Sequence, residues 1–291
     1  MSKVLAIGIF DGVHLGHQQI ISSARDHGDV TVITFDPHPV SVVAPERIPT
    51  QIISLKDRIE LLKSAGAKSV EVINFTKEFS QLSADQFIED VLVGRFAAEH
   101  VVIGQNFNFG HKAQGTPKYL AQVGPKYGFD VNIVKLAEDR GSVISSTRIR
   151  SLIIDGQIER ANELLTRNYY LSGPVVHGEK RGREIGYPTA NIGLEKLATI
   201  PADGVYAGWL TVENQRWPAA ISIGTNPTFA GVRGRQVEAY AIDEVGLDLY
   251  DKVAKVEFGF RLRDTLKFDG LAPLLDQMKI DCDQARKLTS K

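Results

Sequence analysis

Short apolar runs alternate with segments of helical spacing through the first half of the chain. The five apolar runs have the length of buried β-strands and cover residues 4–10, 30–35, 69–75, 100–104 and 129–136. Between them, the apolar positions of 18–28, 54–66 and 83–96 recur three or four apart, as in amphipathic helices. Strands separated by helices of this length are typical of βαβ units, so the pattern predicts an α/β domain with a parallel sheet.

The pattern changes after Tyr169 to short alternating runs separated by Gly, Pro, Asn and Asp. Six such runs predict a small antiparallel β-barrel, and they cover residues 170–178, 189–194, 204–212, 218–224, 236–243 and 255–263. A last amphipathic segment, 271–288, predicts a terminal helix packed on the barrel. Residues 145–165 read as one long helix. The predicted organisation is therefore a first domain over 1–150, a linking helix over 151–168 and a second domain over 169–291.

Composition narrows the class of protein. A length of 291 residues suits two ordinary domains, and a net charge of -1 gives no general attraction to nucleic acid or membrane. The single cysteine, Cys282, excludes an internal disulfide and fits a reducing compartment. The apolar run near the N-terminus is too short for a signal peptide, and no segment reaches the roughly 20 apolar residues that span a bilayer. The sequence predicts a cytoplasmic protein in which any anion site is local.

The first candidate site follows the first predicted strand, in the segment GIFDGVHLGH of residues 8–17. Gly12 and Gly16 permit a tight loop over the N-terminus of the next helix, where main-chain N–H groups bind anions. His14 and His17 stand three residues apart, so both would face that anion and donate hydrogen bonds to a phosphate. The loop predicts a phosphate site, although neither the Walker A loop nor the dinucleotide-binding glycine pattern occurs.

Two other interpretations of the histidine pair stay open. The pair could bind a metal ion together with Asp11 or His38, although the HExxH pattern of zinc enzymes is absent. Each histidine could also have a purely structural role.

The motif ISSTRIR, residues 144–150, supports the phosphate interpretation. Its hydroxyl residues are good helix caps, but Arg148 and Arg150 then occupy the first helical turn, where the helix dipole favours anions. Cations in that position suggest that an external anion completes the site; a cap with two solvated arginines is the alternative. Together the two motifs describe a site that grips a nucleoside triphosphate by positioning and electrostatics, without a covalent nucleophile.

The second candidate site lies in residues 174–191, PVVHGEKRGREIGYPTAN. A basic, glycine-rich stretch lets main chain approach an anion closely. Directly after it, Thr189 and Asn191 offer small neutral oxygen ligands that suit a hard cation such as Mg²⁺. The segment therefore predicts a site for a magnesium–polyphosphate complex, with a solvated hairpin as the alternative.

Nine segments, taken in order, resemble one known family over nearly the whole chain. GIFDGVHLGH, TFDPHP (34–39), IGQNFNFG (103–110) and ISSTRIR resemble the adenylylating module of the bifunctional prokaryotic riboflavin kinase/FAD synthetase. HGEKRGREIGYPTANI, PADGVYAG, SIGTNPTF, VEAYAID and KFDGL resemble its riboflavin kinase module. The first motif is shared with other nucleotidylyltransferases, whereas the PTAN segment with the later NPTF is highly specific.

For the first half, the resemblance implies a Rossmann-like nucleotidylyltransferase domain that transfers AMP from ATP to FMN, giving FAD and pyrophosphate. His14 and His17 would be its catalytic residues. Asn106 and Phe107, with Phe109, would shape the adenine and flavin side. The residues implied at the ATP phosphates are Phe10, Asp11, Gly12, Gly16, His38, Ser146, Thr147 and Arg148.

For the second half, the resemblance implies a β-barrel of riboflavin kinase type that phosphorylates the terminal ribityl hydroxyl of riboflavin. Glu238 would be the general base, and Thr189 and Asn191 would hold Mg²⁺ and the ATP phosphates. The implied nucleotide flap contains Gly178, Arg181 and Gly182, and the implied flavin contacts include Asn226 and Arg263. The expected partners are ATP, riboflavin and FMN, with FMN and FAD as substrate and product, and neither nucleic acid nor membrane.

The chain departs from the family pattern mainly on the flavin side. Tyr240 stands where a His is expected, Glu244 where Phe is common, Asp251 where Gly is usual and Asp264 where Glu is usual. Asn106 replaces a frequent Asp. These changes put flavin affinity or redox preference in doubt rather than the reactions. A single live activity, adenylylation of reduced flavin only, and a flavin-binding regulator without turnover remain alternatives.

Overall fold

The computed structural model describes residues 3–177, 185–225 and 235–290. The chain divides into two compact units, Met1–Ser146 and Thr147–Lys291. Within the described ranges, no helix is long and apolar enough to cross a membrane.

The first unit is built on a five-stranded parallel sheet, as predicted. Its strands are β1 (Val4–Ile7), β2 (Val30–Asp36), β3 (Ser69–Asn74), β4 (His100–Gly104) and β5 (Asp130–Val134). They lie in the order β3-β2-β1-β4-β5. The strand order therefore reverses between β1 and β4, and ligands of such sheets bind beyond the carboxyl ends of the strands at this point. The segments after β1 and β4 are those that carry GIFDGVHLGH and IGQNFNFG.

Helices connect these strands. They are α1 (Leu15–Arg25), α2 (Pro39–Val43), α3 (Leu55–Ser64), α4 (Ala84–Gln86, continuing as a π-helix over Phe87–Arg95) and α5 (Pro117–Val123). A short hairpin of β6 (Glu138–Asp139) and β7 (Ser142–Val143) follows β5. The central strands have no polar face: all four residues of β1 are buried, and Val101, Val102 and Ile103 of β4 are fully buried. Burial on both faces explains their continuous apolar sequence.

The single long helix predicted over 145–165, and with it the linking helix over 151–168, is wrong. The structure has two helices there, α6 (Ser146–Ile154) and α7 (Ile158–Leu165). Gly156 adopts φ 73°, and its N–H and that of Gln157 bond back to Ile153 and Leu152. A left-handed glycine with such bonds ends a helix. Both helices bury apolar residues, which is why the apolar spacing appears continuous.

The second unit contains the predicted antiparallel barrel. Its six strands are β8 (Tyr169–Val176), β9 (Ala190–Ile192), β10 (Gly204–Val212), β11 (Gln215–Thr225), β12 (Arg235–Ala241) and β13 (Val253–Arg263). They close in the order β10-β11-β12-β9-β8-β13, with every pair antiparallel. The terminal helix α8 (Leu271–Thr289) packs on the barrel, where its Ala285 meets Ala207 and Ile242.

Candidate active sites

The loop between β1 and α1, residues 8–14, makes an unusually tight turn. Phe10, Gly12 and Val13 all have positive φ, at 56°, 86° and 41°. The N–H of Val13 donates to the carbonyl of Phe10 over 3.1 Å. His14 then caps α1, its Nδ1 accepting from the N–H of His17 at 3.4 Å. The predicted arrangement of a tight loop opening onto a helix N-terminus is therefore present.

The two histidines of this loop lie together. The rings of His14 and His17 stack with centroids 3.5 Å apart and planes at 19°, and Phe10 meets His17 edge-on at 5.2 Å. Burial, and then the proximity of His14 and Arg58, hold the pKa of His17 well below its ordinary value. Its Nδ1 is buried without a hydrogen-bond partner among the described residues. His17 thus presents a neutral imidazole, with one ring nitrogen left to bond a ligand.

Asp11 supports the loop from behind. Its carboxylate is 4% exposed and accepts hydrogen bonds from the main-chain N–H groups of Ile52, at 3.0 and 3.1 Å, and of Ile53, at 3.3 Å. Across the described ranges, no group of three or more His, Cys, Asp and Glu side chains could hold a metal ion. The geometry therefore gives no support to a metal site of Asp11 with the histidines.

The start of the ISSTRIR helix reaches the same loop. Ser146 donates from Oγ to the main-chain carbonyl of Asp11 over 2.8 Å. Thr147 and Arg148 follow it in the first turn of α6. His38 lies after the carboxyl end of β2, where it caps α2 by accepting from the N–H of Val40 at 3.2 Å, and it is 8% exposed.

Residues after β4 divide between surface and core. Asn106 is exposed, and Phe107 is half-buried. Phe107 stacks on Phe109 with centroids 5.7 Å apart, and Phe109 is 6% exposed within the main hydrophobic core. Gly104 leaves the space for Asn106, because a Cβ there would come within 3.1 Å of its Oδ1. Asn106 and Phe107 are thus available to a ligand at the point where the strand order reverses, and Phe109 supports Phe107.

Arg58 of α3 belongs to none of the predicted sites, yet it is only 6% exposed. Its Nη1 donates to the carbonyl of Ile9 at 2.9 Å, and its Nη2 donates to that of Phe35 at 3.3 Å. The available signal was its spacing: Arg58 stands three residues after Leu55 and four before Leu62, on the apolar face of the helix. An arginine on the apolar face of a helix loses its contact with water, so its guanidinium needs hydrogen-bond partners inside the protein.

In the second unit, three predicted residues meet on one face of the barrel. Glu238 of β12 and Asn191 of β9 are directly opposite each other in the antiparallel register. Thr189, two residues before Asn191, donates from Oγ1 to Oε2 of Glu238 at 3.2 Å. The neighbours of Glu238 along β12, Val237 and Ala239, are buried, whereas Glu238 is only half-buried. Hydroxyl, amide and carboxylate thus form one partly exposed cluster.

Tyr240, which stands where the resemblance led us to expect a histidine, borders this cluster. It lies two residues beyond Glu238 on the same face of β12 and meets Tyr187 edge-to-face at 5.1 Å. Burial, and then the nearby Cys282 of α8, raise the pKa of both phenols. Tyr187 and Tyr240 therefore form an aromatic pair on the face of β12 that carries Glu238.

The remaining predicted residues of the second unit have different outcomes. Gly178, Arg181, Gly182 and Asn226 lie outside the described residues. Arg263 forms a two-pronged pair with Asp281 of α8, from Nε to Oδ1 at 2.9 Å and from Nη2 to Oδ2 at 2.6 Å. Its guanidinium thereby ties β13 to the terminal helix, and a flavin contact by Arg263 stays a prediction.

Comparison with known proteins gives two family matches, one for each half of the chain. The model of FAD synthetase matches residues 1–148, and that of riboflavin kinase matches residues 165–289. A solved structure from Streptococcus pneumoniae, described as a macrolide-efflux protein, superposes with a TM-score of 0.87 at 34% identity. That similarity covers 98% of this chain and 94% of the other.

Two curated relatives carry the same name, bifunctional riboflavin kinase/FMN adenylyltransferase. The protein of Listeria monocytogenes is 37% identical over all of this chain and 94% of its own length. That of Bacillus subtilis is 35% identical over 97% of this chain and 91% of its own. Since these relatives match almost end to end and both family models match in the same order, the chain belongs to the family of bifunctional riboflavin kinase/FMN adenylyltransferases.

Proposed function

We propose that the chain carries both activities of its family. The second unit phosphorylates riboflavin with ATP to give FMN, and the first unit transfers AMP from a second ATP to FMN, releasing pyrophosphate. The observation that supports this proposal best is the meeting of Thr189, Asn191 and Glu238 on one barrel face, because a binding module has no need for a base beside a phosphate site.

In the kinase reaction, Glu238 is the proposed general base. The terminal hydroxyl oxygen of riboflavin attacks the γ-phosphorus, and the bond from that phosphorus to the β–γ bridging oxygen breaks, so that ADP leaves. The hydroxyl proton passes to the carboxylate of Glu238, as general-base catalysis requires. The hydrogen bond from Thr189 to Oε2 holds one oxygen of this carboxylate in place.

Thr189 and Asn191 have the chemistry of a magnesium site. Hydroxyl and amide oxygens are hard ligands, and Mg²⁺ takes few protein ligands while keeping water and phosphate oxygens. We propose that these two side chains hold Mg²⁺ bound to ATP. When bound, the ion neutralises negative charge on the phosphates.

In the adenylylation reaction, a phosphate oxygen of FMN attacks the α-phosphorus of ATP and pyrophosphate leaves. The attacking phosphate needs no base, so the work of the protein is positioning and charge stabilisation. The imidazoles of His14 and His17 are the proposed donors to the ATP phosphates. Their place at the N-terminus of α1 adds the main-chain N–H groups of an eleven-residue helix, where anions are favoured.

The test is a time course with riboflavin and magnesium-ATP in which riboflavin, FMN and FAD are separated by chromatography. An FMN concentration that rises and then falls as FAD forms would support both activities. FMN alone would point to an inactive first unit or one that accepts only reduced flavin, which a repeat with dithionite separates. No product from protein that binds flavin would contradict the proposal and favour a regulator.

A further inference from the structure

Arg58 has an unusual environment for a cation. Its guanidinium is buried, yet two of its donors go to main-chain carbonyls, those of Ile9 and Phe35. The side chain of Asp36 lies 3.9 Å away and is 43% exposed. The Nε atom of Arg58 has no hydrogen-bond partner within the described part of the chain. The guanidinium is thus held mainly by neutral acceptors.

The surrounding acids compensate this charge only in part. Burial lowers the pKa of Arg58, and the nearby Asp11 and Asp36 act in the opposite direction without cancelling that effect. Burying a charge is costly unless it is well paired. An anion bound close to Arg58 would therefore gain from a positive charge that the protein has already desolvated.

Arg58 is also connected to the β1–α1 loop at two points. Directly, its Nη1 bonds the carbonyl of Ile9, which also accepts from Oγ1 of the buried Thr34 at 2.9 Å. Indirectly, Asp11 of the loop bonds the N–H groups of 52–53, and Ser54 then caps the helix that carries Arg58. The tight turn of this loop is thus bonded at Ile9 to α3 and at Asp11 to the segment that leads into α3.

We propose that Arg58 is a positioning residue of the adenylylating site: it fixes the β1–α1 loop through the carbonyl of Ile9 and contributes a fixed positive charge beside His17. This inference rests on the proposed function of the first unit. Burial is the main cause of the low pKa of His17, and two nearby groups act in the same direction: His14, the N-cap of the same helix, and Arg58 from α3. In its neutral form, the ring of His17 can donate one N–H hydrogen bond to a phosphate oxygen.

The experiment compares Arg58→Met, which removes the charge, with Arg58→Lys, which keeps the charge but lacks the planar fork that bonds two carbonyls. Lys63→Met is the matched control, since Lys63 is exposed on the same helix. FMN formation reports the folding of the second unit only, so hydrogen exchange of the β1 amides follows the folding of the first unit in every variant. The pKa of His17 is followed by NMR, with its signals assigned through His17→Gln.

Arg58→Met should lower kcat/KM for FAD formation by about 10²-fold, the scale of losing one preorganised electrostatic contact, and leave FMN formation unchanged. The His17 pKa should rise in Arg58→Met and stay low in Arg58→Lys, whose FAD formation should be intermediate. Lys63→Met should behave as wild type in both assays.

FAD formation in Arg58→Met close to that of wild type would overturn the inference. The inference would also be overturned if both Arg58 variants lost FAD formation equally while the His17 pKa stayed unchanged. That result would show that Arg58 acts only through packing. If Arg58→Met fails to fold, Arg58→Lys decides: a selective loss of FAD formation supports the inference, and a wild-type rate contradicts it. Wild-type protein that makes FMN but no FAD from oxidised or reduced flavin would contradict the proposed function of the first unit instead.

Discussion

Thr189 and Glu238 are joined by a hydrogen bond of 3.2 Å between side chains 49 residues apart in the sequence. The hydroxyl and the carboxylate therefore hold each other in place, and the orientation of Glu238 does not depend on a substrate. Such preorganisation lowers the cost of assembling a reactive geometry.

Glu238→Gln and His17→Ala should separate the two activities. Glu238→Gln removes the proposed proton acceptor and should lower FMN formation by about 10²- to 10⁴-fold, with FAD formation from supplied FMN nearly intact. His17→Ala removes a proposed donor to the ATP phosphates and should do the reverse, by about 10²-fold or more. Chromatographic assays of each half-reaction measure both effects. Loss of both activities from a folded single variant would refute the division into two sites.

Thr189→Val keeps the shape of the side chain but removes its hydroxyl, and Thr189→Ser keeps the hydroxyl. Valine removes one hydrogen bond to the carboxylate of Glu238 and a proposed magnesium ligand, so kcat/KM for magnesium-ATP in the kinase reaction should fall by about 10²-fold. Serine should retain most of the activity. Steady-state kinetics at varied magnesium concentration test this pair; similar rates for the two variants would show that the hydroxyl is dispensable.

The stability of the first unit should depend on pH through His17. The pKa of His17 in the folded chain lies below its ordinary value of 6.5. At pH values between these two pKa values, His17 is protonated in the unfolded chain and neutral in the folded chain. Stability should therefore rise with pH up to about 6.5 and be flat above it. Hydrogen exchange of the β1 amides at about pH 5 and pH 7.5 measures this in wild type and His17→Gln.

In His17→Gln, that pH dependence should be weaker, because glutamine does not titrate in this range. An identical dependence in wild type and variant would assign the effect to other groups.

Gly156→Ala should destabilise the second unit more than Gly246→Ala. Both glycines have φ near 70°, so each alanine carries a strain of about 1–2 kcal/mol. At Gly156 the added Cβ would also lie 2.9 Å from the guanidinium carbon of Arg261, whereas nothing lies within 4 Å at Gly246. Urea unfolding followed by tryptophan fluorescence reports this unit alone, since both tryptophans, Trp209 and Trp217, are in the barrel. Equal losses would mean that Arg261 moves aside at no cost.

The sequence predicted both architectures because strand and helix periodicities are local properties. It failed over 145–165, where the apolar spacing of α6 continues into α7 and hides the break. Asp155-Gly156 is a turn signal that the spacing outweighed. Periodicity alone cannot distinguish a continuous helix from two helices in phase.

The site was predicted less completely, because two of its supports are long-range. Asp11 was expected at the phosphates, but its carboxylate bonds main-chain groups 41 and 42 residues away. Arg58 bonds the carbonyl of Ile9, 49 residues before it. Neither partner carries a distinctive side chain, so no motif could mark these contacts. The proximity of His14 and His17 could be predicted because it depends on a single helical turn.

The alignment of β9 with β12 carries a functional consequence of its own. Strand β9 has three residues and pairs with β12 at two positions, Asn191 with Glu238 and Ala190 with Ala239. Since successive side chains of a strand point to opposite faces, a slip by one residue would turn the amide of Asn191 into the barrel interior. Substitutions that loosen this short pairing should therefore silence the kinase in a barrel that is still folded, which makes strand register a determinant of activity separate from stability.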